Sequence, residues 1–123
     1  MPRTLVTGAT GFIGSHVTRL LVERGDEVSA MVRESSSLDP LDGLPVKILR
    51  GDARDRRSVR RAMRGIDRVF HIAGTTNLAL PRGETFALNL EATRIVLEEA
   101  LRAEVERAVY TSSVAAIGRP SPG

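Results

Sequence analysis

The chain of 123 residues contains no cysteine and no tryptophan, and its aromatic side chains are three Phe and one Tyr. The absence of cysteine excludes disulfide bonds and thiolate metal sites. Because it also suits a reducing compartment, we expect a cytoplasmic protein. The two histidines lack a matching carboxylate spacing, which argues against a metal site. With so few aromatic residues, the core of one small domain must be aliphatic.

Long apolar runs and a signal peptide are also missing. No stretch approaches the roughly 20 apolar residues that cross a bilayer. The start of the chain, MPRTLVTGATG, has an apolar region that is too short for a secretory signal and leads straight into glycines. We therefore expect no membrane association.

Lysine is nearly absent: of the 18 Lys and Arg residues only Lys47 is a lysine, and the net charge is +3. The arginines concentrate in RDRRSVRRAMR, residues 54–64. Val59, Met63 and Ile66 recur there at helical spacing, which predicts a buried stripe with the arginines on a solvated face. Clustered arginines also bind nucleic acid. Because no aromatic stacking platform accompanies them, we expect no nucleic-acid partner.

Apolar strands alternate with helical segments along the chain. The strands are predicted at 4–7, 27–33, 46–50, 67–74 and 107–113, and a long helix at about 84–103. Such alternation produces right-handed crossovers and a parallel sheet that is covered on both faces. The sequence therefore predicts an α/β fold of one domain, residues 1–123, with a doubly wound parallel sheet in the strand order 3-2-1-4-5.

Three glycines, Gly8, Gly11 and Gly14, lie between the first strand and the first helix. Glycines at such a point permit a tight turn, let the backbone approach a pyrophosphate and let helix and strand pack closely. The helix that follows offers free N–H groups and a partial positive charge to the phosphates. A glycine turn alone is a weak signal, but here a strand precedes it and an amphipathic helix and a second strand follow. We therefore predict a dinucleotide site rather than a purely structural turn.

Four further segments match the pattern of a known family. TGATGFIG, which begins at Thr7, resembles the extended short-chain dehydrogenase/reductase family, especially its dihydroflavonol-reductase-like members and its hopanoid-associated sugar epimerases. GDARD, HIAG, NLEAT and VYTSSVAAIG resemble later motifs of the same family. The resemblance implies a Rossmann-type fold and an NAD(P)-dependent oxidoreductase, or a nucleotide-sugar epimerase or dehydratase. Its partners would be a dinucleotide and a small-molecule substrate.

The resemblance also implies which residues contact the cofactor. Asp52 would meet the adenine with Ala53 beside it, and Ala73 and Gly74 would line the ribose and nicotinamide side. Ala92 stands where the helix motif usually has glycine, which leaves open how tightly the helix packs there. The expected cofactor-binding residues are Thr7, Gly8, Thr10, Gly11, Phe12, Ile13, Gly14, Arg33, Asp52, Ala53, Ala73, Gly74, Asn89 and Thr111.

The end of the second strand bears on which dinucleotide is bound. NAD-binding proteins of this fold place Asp or Glu there, where the carboxylate accepts from the ribose 2′-hydroxyl. This chain has Val32 and Arg33 at that point, followed by Glu34. Because a guanidinium suits a 2′-phosphate, we predict NADP(H) in preference to NAD(H). An ordinary surface role for Arg33 is the alternative, and Glu34 complicates the interpretation.

The family combines a Ser or Thr with a Tyr and a Lys, and the resemblance places the first of these at Ser113, with Ser112 as the alternative. The serine would orient the substrate oxygen, and the tyrosine would act as the acid/base with its pKa lowered by the lysine. Turn formation is the structural alternative for a Ser-Ser pair. Tyr-x-x-x-Lys does not occur in these residues, because the one tyrosine is Tyr110, expected to be buried in the fifth strand, and the one lysine is Lys47.

These patterns lead to an expectation for the chain as a whole. It corresponds to the amino-terminal, cofactor-binding portion of a larger enzyme, with its sheet truncated after the fifth strand, and we expect it to be inactive alone. Its exposed strand edge and apolar helix face would drive dimerisation or self-association. His16 and His71 are expected to be surface or packed histidines rather than catalysts. A non-catalytic dinucleotide-binding sensor or scaffold is the alternative function.

Overall fold

A computed structural model of the chain describes residues 1–72 and 82–110, without the side chains of 82–89. Strands and helices alternate through these ranges as the sequence predicts. The elements are β1 (Arg3–Thr7), α1 (Phe12–Arg24), β2 (Glu27–Val32), a short 3-10 helix (Asp39–Leu41), β3 (Lys47–Arg50), α2 (Arg56–Ala62), β4 (Arg68–His71), α3 (Arg82–Arg102) and β5 (Arg107–Tyr110).

The five strands form one sheet in the order β3-β2-β1-β4-β5. Every neighbouring pair is parallel. The predicted doubly wound arrangement is therefore confirmed. Because all strands run the same way, their carboxyl ends meet along one edge of the sheet.

The central strand β1 is apolar on both of its faces, because each face contributes to a different half of the core. Leu5 packs with residues of α2 and α3, among them Val59 and Val96. Val6 packs in the other half with Leu21 of α1. Because both faces of such a strand are buried, its sequence is a nearly continuous run of apolar residues.

Helix α1 ends at a glycine C-cap. Gly25 has a φ of 98°, and its N–H donates to the carbonyl of Val22 at 3.0 Å, while the next amide, Asp26, donates to Leu21. This left-handed cap suits glycine and turns the chain directly into β2. The buried side of α1 carries Thr18 and Leu21, whereas Leu20 is exposed.

Helix α2 carries the arginine cluster, and Asp55 is its N-cap. The Asp55 carboxylate accepts from the Arg57 main-chain N–H at 3.1 Å. Val59 and Met63 are buried as predicted, while most of the arginines face solvent. The solvated-face interpretation therefore fits this helix.

Two arginines of α2 have a further role that the sequence did not indicate. Arg56 Nη1 and Arg60 Nε donate to the two carboxylate oxygens of Glu99 on α3 at 2.8 and 3.0 Å. The hydrogen bond from Arg60, followed by that from Arg56, keeps the pKa of Glu99 below its ordinary value although the side chain is buried. These ion pairs join α2 to α3.

Helix α3 packs through small and β-branched side chains. Its buried residues are Ala92, Ile95, Val96, Glu99 and Ala100, whereas Leu90, Leu97 and Leu101 are exposed. Ala92 is only 4% exposed, so an alanine fits the position where the family motif has glycine. No helix in residues 1–72 and 82–110 is both long and apolar enough to span a membrane.

The expectation that Tyr110 is buried is wrong. Its side chain is 49% exposed, because β5 is hydrogen-bonded to a neighbour, β4, along one side only in the described sheet. One face of the Tyr110 ring stacks on His71, with ring centroids 5.7 Å apart. Strand β5 is thus an edge strand in the described part of the chain.

Candidate functional site

The candidate site lies at the carboxyl edge of the sheet, next to the central strands β1 and β4. From β1 the chain winds toward β2 and β3 on one side, and β4 and β5 fill the other side. This change of direction is a topological switch point, and sheets of this type bind ligands in the space outside the strand ends at such points. The predicted glycine turn follows β1 at this point.

The three glycines of the turn meet different steric demands. Gly8 has a φ of 68°, a left-handed conformation that favours glycine. A Cβ on Gly14 would lie 1.8 Å from the Gly8 carbonyl oxygen, so the fold excludes any side chain there. A Cβ on Gly11 would lie 3.5 Å from the same oxygen, an ordinary contact. The fold therefore needs glycine at Gly8 and Gly14 but has room for a Cβ at Gly11.

The N-terminus of α1 is open toward this space. Gly11 occupies the N-cap, no side chain caps the helix, and the first turn contains no acidic residue. The first amide bonded within the helix is that of Ser15, which donates to the Gly11 carbonyl at 2.9 Å. The amides of residues 12–14 precede it and have no intrahelical acceptor. Free N–H groups and the helix dipole favour an anion here.

The side chains at the start of α1 are exposed around this N-terminus. Phe12 is 82% exposed and Ile13 is 51% exposed, while Thr10 is half-buried. Phe12 makes an edge-to-face contact with His16, with ring centroids 4.9 Å apart. His16 is exposed, as predicted for a surface histidine.

A chain of hydrogen bonds joins Thr7, His71 and Thr93 beneath the turn. Thr7 Oγ1 lies 2.8 Å from His71 Nδ1, and His71 Nε2 lies 3.1 Å from Thr93 Oγ1. The Ile72 N–H also donates to Thr7 Oγ1, at 3.1 Å. Thr7 and His71 are fully buried. The Thr7 hydroxyl is thus hydrogen-bonded within the protein, and these hydrogen bonds link β1, β4 and α3.

His71 is a packed histidine, as the sequence suggested. Burial lowers the pKa of its imidazole from 6.5 to about 4. The ring is therefore neutral near pH 7, where one ring nitrogen donates a hydrogen bond and the other accepts one. The sequence pattern did not reveal its link to Thr93, because 22 residues separate the two side chains.

The second cluster of predicted residues lies where β2 and β3 end. Arg33 directly follows β2 and is exposed. The Asp52 carboxylate accepts from the Arg54 main-chain N–H at 2.9 Å and from the Arg54 guanidinium at 2.8 Å. The hydrogen bond from the Arg54 side chain is the main reason that the pKa of Asp52 is lowered, and the nearby charge of Arg33 adds to it. Ala53 is buried beside them.

Arg50 is the one residue of this cluster that sequence reasoning missed. Its Nη1 donates to main-chain carbonyls of the segment after β2, the shortest bond being 2.8 Å to Arg33. An arginine at a strand end gives no sequence signal for such a contact, because 17 residues separate it from Arg33.

Several predicted site residues lie outside the described part of the chain. They are Ala73, Gly74, Thr111, Ser112 and Ser113, and Asn89 lies in α3 with its side chain outside it. Lys47 lies on β3 and Tyr110 on β5, the two strands at opposite ends of the sheet order. They therefore cannot act as the missing tyrosine–lysine pair.

Comparison of the sequence with known proteins found a matching family model and similar relatives. A model of the NAD dependent epimerase/dehydratase family matches residues 4–123. The chain is 46% identical over 116 residues to sterol demethylase protein B of Methylococcus capsulatus, covering 94% of this chain and 35% of that protein. It is 42% identical over 119 residues to a Synechocystis protein named for dihydroflavonol 4-reductase, covering 96% and 34%. The chain thus spans about a third of the length of these relatives.

Solved structures share the same fold. The UDP-glucose 4-epimerase of Bifidobacterium longum, solved with NAD+ and UDP, is 30% identical with a TM-score of 0.81. The match covers 98% of this chain and 39% of that one. The crystal structure of gox2253 is 41% identical with a TM-score of 0.88, covering 98% and 37%.

Proposed function

Because this chain belongs to the NAD dependent epimerase/dehydratase family, we propose that it is the dinucleotide-binding part of an NADP(H)-preferring oxidoreductase. The observation that carries the proposal is the turn from Gly8 to Gly14 at the switch point. Gly14 is required by the fold, whereas the fold would accept a Cβ at Gly11, which lies at a helix N-terminus with no side-chain cap. A pyrophosphate fits such a cradle, since the main chain approaches it without a side chain intervening.

The residues of the turn would hold the cofactor in distinct ways. Main-chain amides of Phe12 and Ile13 would bind the pyrophosphate, with Gly11 allowing its close approach. Thr7 is fully buried, so it would support the turn through its bonds to His71 and Ile72. Asp52 and Ala53 would border the adenine. Ala73, Gly74, Asn89 and Thr111 stay predictions from the family motifs.

The preference for NADP(H) is supported by charge. Arg33 is exposed directly after β2, and no carboxylate ends that strand. A carboxylate at this point would repel a 2′-phosphate, whereas a guanidinium attracts it. Glu34 is the nearest opposing charge in the sequence.

The reaction we propose is hydride transfer between a carbonyl or alcohol carbon and the cofactor, whose nicotinamide supplies or takes up the hydride when bound. Ser113, with Ser112 as the alternative, would hydrogen-bond the substrate oxygen and orient it. A nucleotide-sugar epimerase or dehydratase is the alternative chemistry at the same site, and the cytoplasm is the compartment we propose for either.

A second candidate function, dinucleotide binding without catalysis, is favoured by one observation. The only lysine and the only tyrosine among the 123 residues lie on β3 and β5, at opposite ends of the sheet. Detectable NADPH-dependent turnover by these 123 residues, with any carbonyl substrate, would exclude this second candidate.

Titration of the chain with NADPH and with NADH tests the proposal. We expect Arg33→Ala to weaken NADPH binding by about tenfold, the loss of one charge-assisted hydrogen bond, and to leave NADH binding nearly unchanged. Arg64→Ala is the matched control, because Arg64 is an exposed arginine just beyond α2. Equal losses for both dinucleotides would contradict the NADP(H) preference, and the absence of binding to either would contradict the site itself.

A further inference from the structure

We propose that Arg50 is a positioning residue for the 2′-phosphate of the dinucleotide. It holds the loop of residues 33–36, which follows β2, in a shape that presents main-chain N–H groups to that phosphate. This inference rests on the proposed function. Arg50 is the last residue of β3 and pairs in the sheet with Val32, the residue before the loop.

A single guanidinium nitrogen of Arg50 donates hydrogen bonds to three main-chain carbonyl groups of the loop. Nη1 donates to the carbonyls of Arg33 at 2.8 Å, Ser36 at 3.2 Å and Glu34 at 3.3 Å. The Ser36 N–H donates to the Arg33 carbonyl at 3.1 Å and closes a turn. These carbonyl groups of the loop therefore all face Arg50.

The opposite side of the loop carries free donors. The described ranges contain no cis peptide bond, and in a trans peptide the N–H points away from the carbonyl. The amides of Glu34, Ser35 and Ser37 are thus turned away from Arg50. None of the three has an acceptor among residues 1–72 and 82–110. Successive N–H groups in a turn form a concave site for anions.

The side chains around these amides suit a phosphate. Arg33 lies in the same loop and is exposed. It is close enough to Asp52 to lower the pKa of that carboxyl. Ser35 and Ser37 are exposed hydroxyl donors. In this arrangement the Arg33 guanidinium would attract the phosphate by its charge. Arg50 instead fixes the conformation of the loop, because its hydrogen bonds go to the loop carbonyls.

The geometry distinguishes two substitutions of Arg50. All three bonds come from Nη1, whose two N–H groups must share themselves among the three carbonyls, whereas a lysine ammonium offers three donors on one nitrogen. Arg50→Lys should therefore keep the loop in place. Arg50→Met keeps an unbranched apolar side chain but has no hydrogen-bond donor, so the loop loses its three hydrogen bonds to residue 50.

Isothermal titration of the 123-residue chain with 2′,5′-ADP and with 5′-AMP tests the inference, because these probes differ by the 2′-phosphate. We expect Arg50→Met to weaken 2′,5′-ADP binding about tenfold and to change 5′-AMP binding less than about threefold. Arg50→Lys should remain within about threefold of the natural chain for both probes. Arg61→Met is the matched control, because Arg61 lines the same cleft as Arg50 and makes no bond to the loop.

Each outcome of the titration decides a distinct point. Unchanged 2′,5′-ADP affinity in Arg50→Met overturns the inference and leaves the NADP(H) preference intact. An equal loss in Arg61→Met also overturns it, because the effect would then be long-range charge. If the natural chain binds 2′,5′-ADP no better than 5′-AMP, the NADP(H) preference itself fails, and the role of Arg50 fails with it. Circular dichroism checks that each variant is folded, and Arg50→Gln replaces Arg50→Met should that variant unfold.

Discussion

His71 Nδ1 lies 2.8 Å from the hydroxyl oxygen of Thr7, and both side chains are fully buried beneath the glycine turn. This contact joins the two strands that border the proposed dinucleotide site. Because burial disfavours the protonated form of the His71 ring, the stability of this part of the fold depends on pH.

We expect the free energy of unfolding to decrease as the pH is lowered from about 6.5 toward about 4. The pKa of His71 falls from 6.5 to about 4 on folding, so between these values the unfolded chain binds the extra proton. Stability is therefore full above pH 6.5 and declines below it, by about 2 kcal/mol between pH 6.5 and 5.

Urea unfolding at several pH values measures this effect. His71→Gln should flatten the dependence between pH 6.5 and 5, whereas His16→Gln, which changes the exposed histidine, should leave it as it is. An equally steep dependence in His71→Gln would show that another group is responsible.

The two glycines at the start of α1 should respond oppositely to alanine. Gly14→Ala places a Cβ 1.8 Å from the Gly8 carbonyl oxygen, so we expect a destabilisation of about 3 kcal/mol or more. Gly11→Ala meets only an ordinary contact at 3.5 Å. It should cost about 1 kcal/mol or less as an N-cap change but weaken dinucleotide binding strongly. Thermal unfolding and NADPH titration measure the two effects, and tight NADPH binding by Gly11→Ala would count against the cradle.

Glu99 should matter more for stability than its neighbour Glu98. Glu99 is 3% exposed in its side chain and accepts from both Arg56 and Arg60, whereas Glu98 is 52% exposed. We expect Glu99→Gln to destabilise the protein by about 1–3 kcal/mol, since it removes the buried charge that pairs with both arginines and replaces one of the two acceptor oxygens with an NH2 group. Glu98→Gln is the control and should change stability by less than about 1 kcal/mol. Equal effects in urea unfolding would contradict this assignment.

We expect the chain to self-associate through α3 and the edge strand β5. Leu97 and Leu101 are 40% and 81% exposed on α3, and exposed apolar faces drive association. Replacing both leucines with lysine should reduce the association that light scattering detects. Leu20→Lys on α1, where Leu20 is 64% exposed, should have little effect. A monodisperse monomer of the natural chain would contradict the prediction.

The fold could be predicted because its signals are local. Apolar runs mark the strands, Gly25 ends α1, Asp55 begins α2, and the strand order follows from the handedness of the crossovers. The glycine turn could be predicted for the same reason, since a strand, three glycines and a helix follow one another in the sequence.

The remaining features of the site depend on contacts between distant residues. Arg50 reaches Arg33 across a strand pair, and His71 reaches Thr93 on a helix. No short pattern encodes such pairs. The exposure of Leu97 is a further such case, because α3 packs through Ala92 and Val96 instead. Tyr110 was wrongly expected to be buried because an apolar run does not show whether a strand has two neighbours.

The position of β1 has a consequence for how the chain is made on the ribosome. Thr4 pairs with Val28 on one side and with Arg68 on the other. Strand β1 therefore waits for a partner 64 residues later, which takes roughly 3 to 13 s at ordinary rates of translation. Through that interval β1 has one open edge, and a nascent chain with an unpaired apolar strand is a substrate for chaperones.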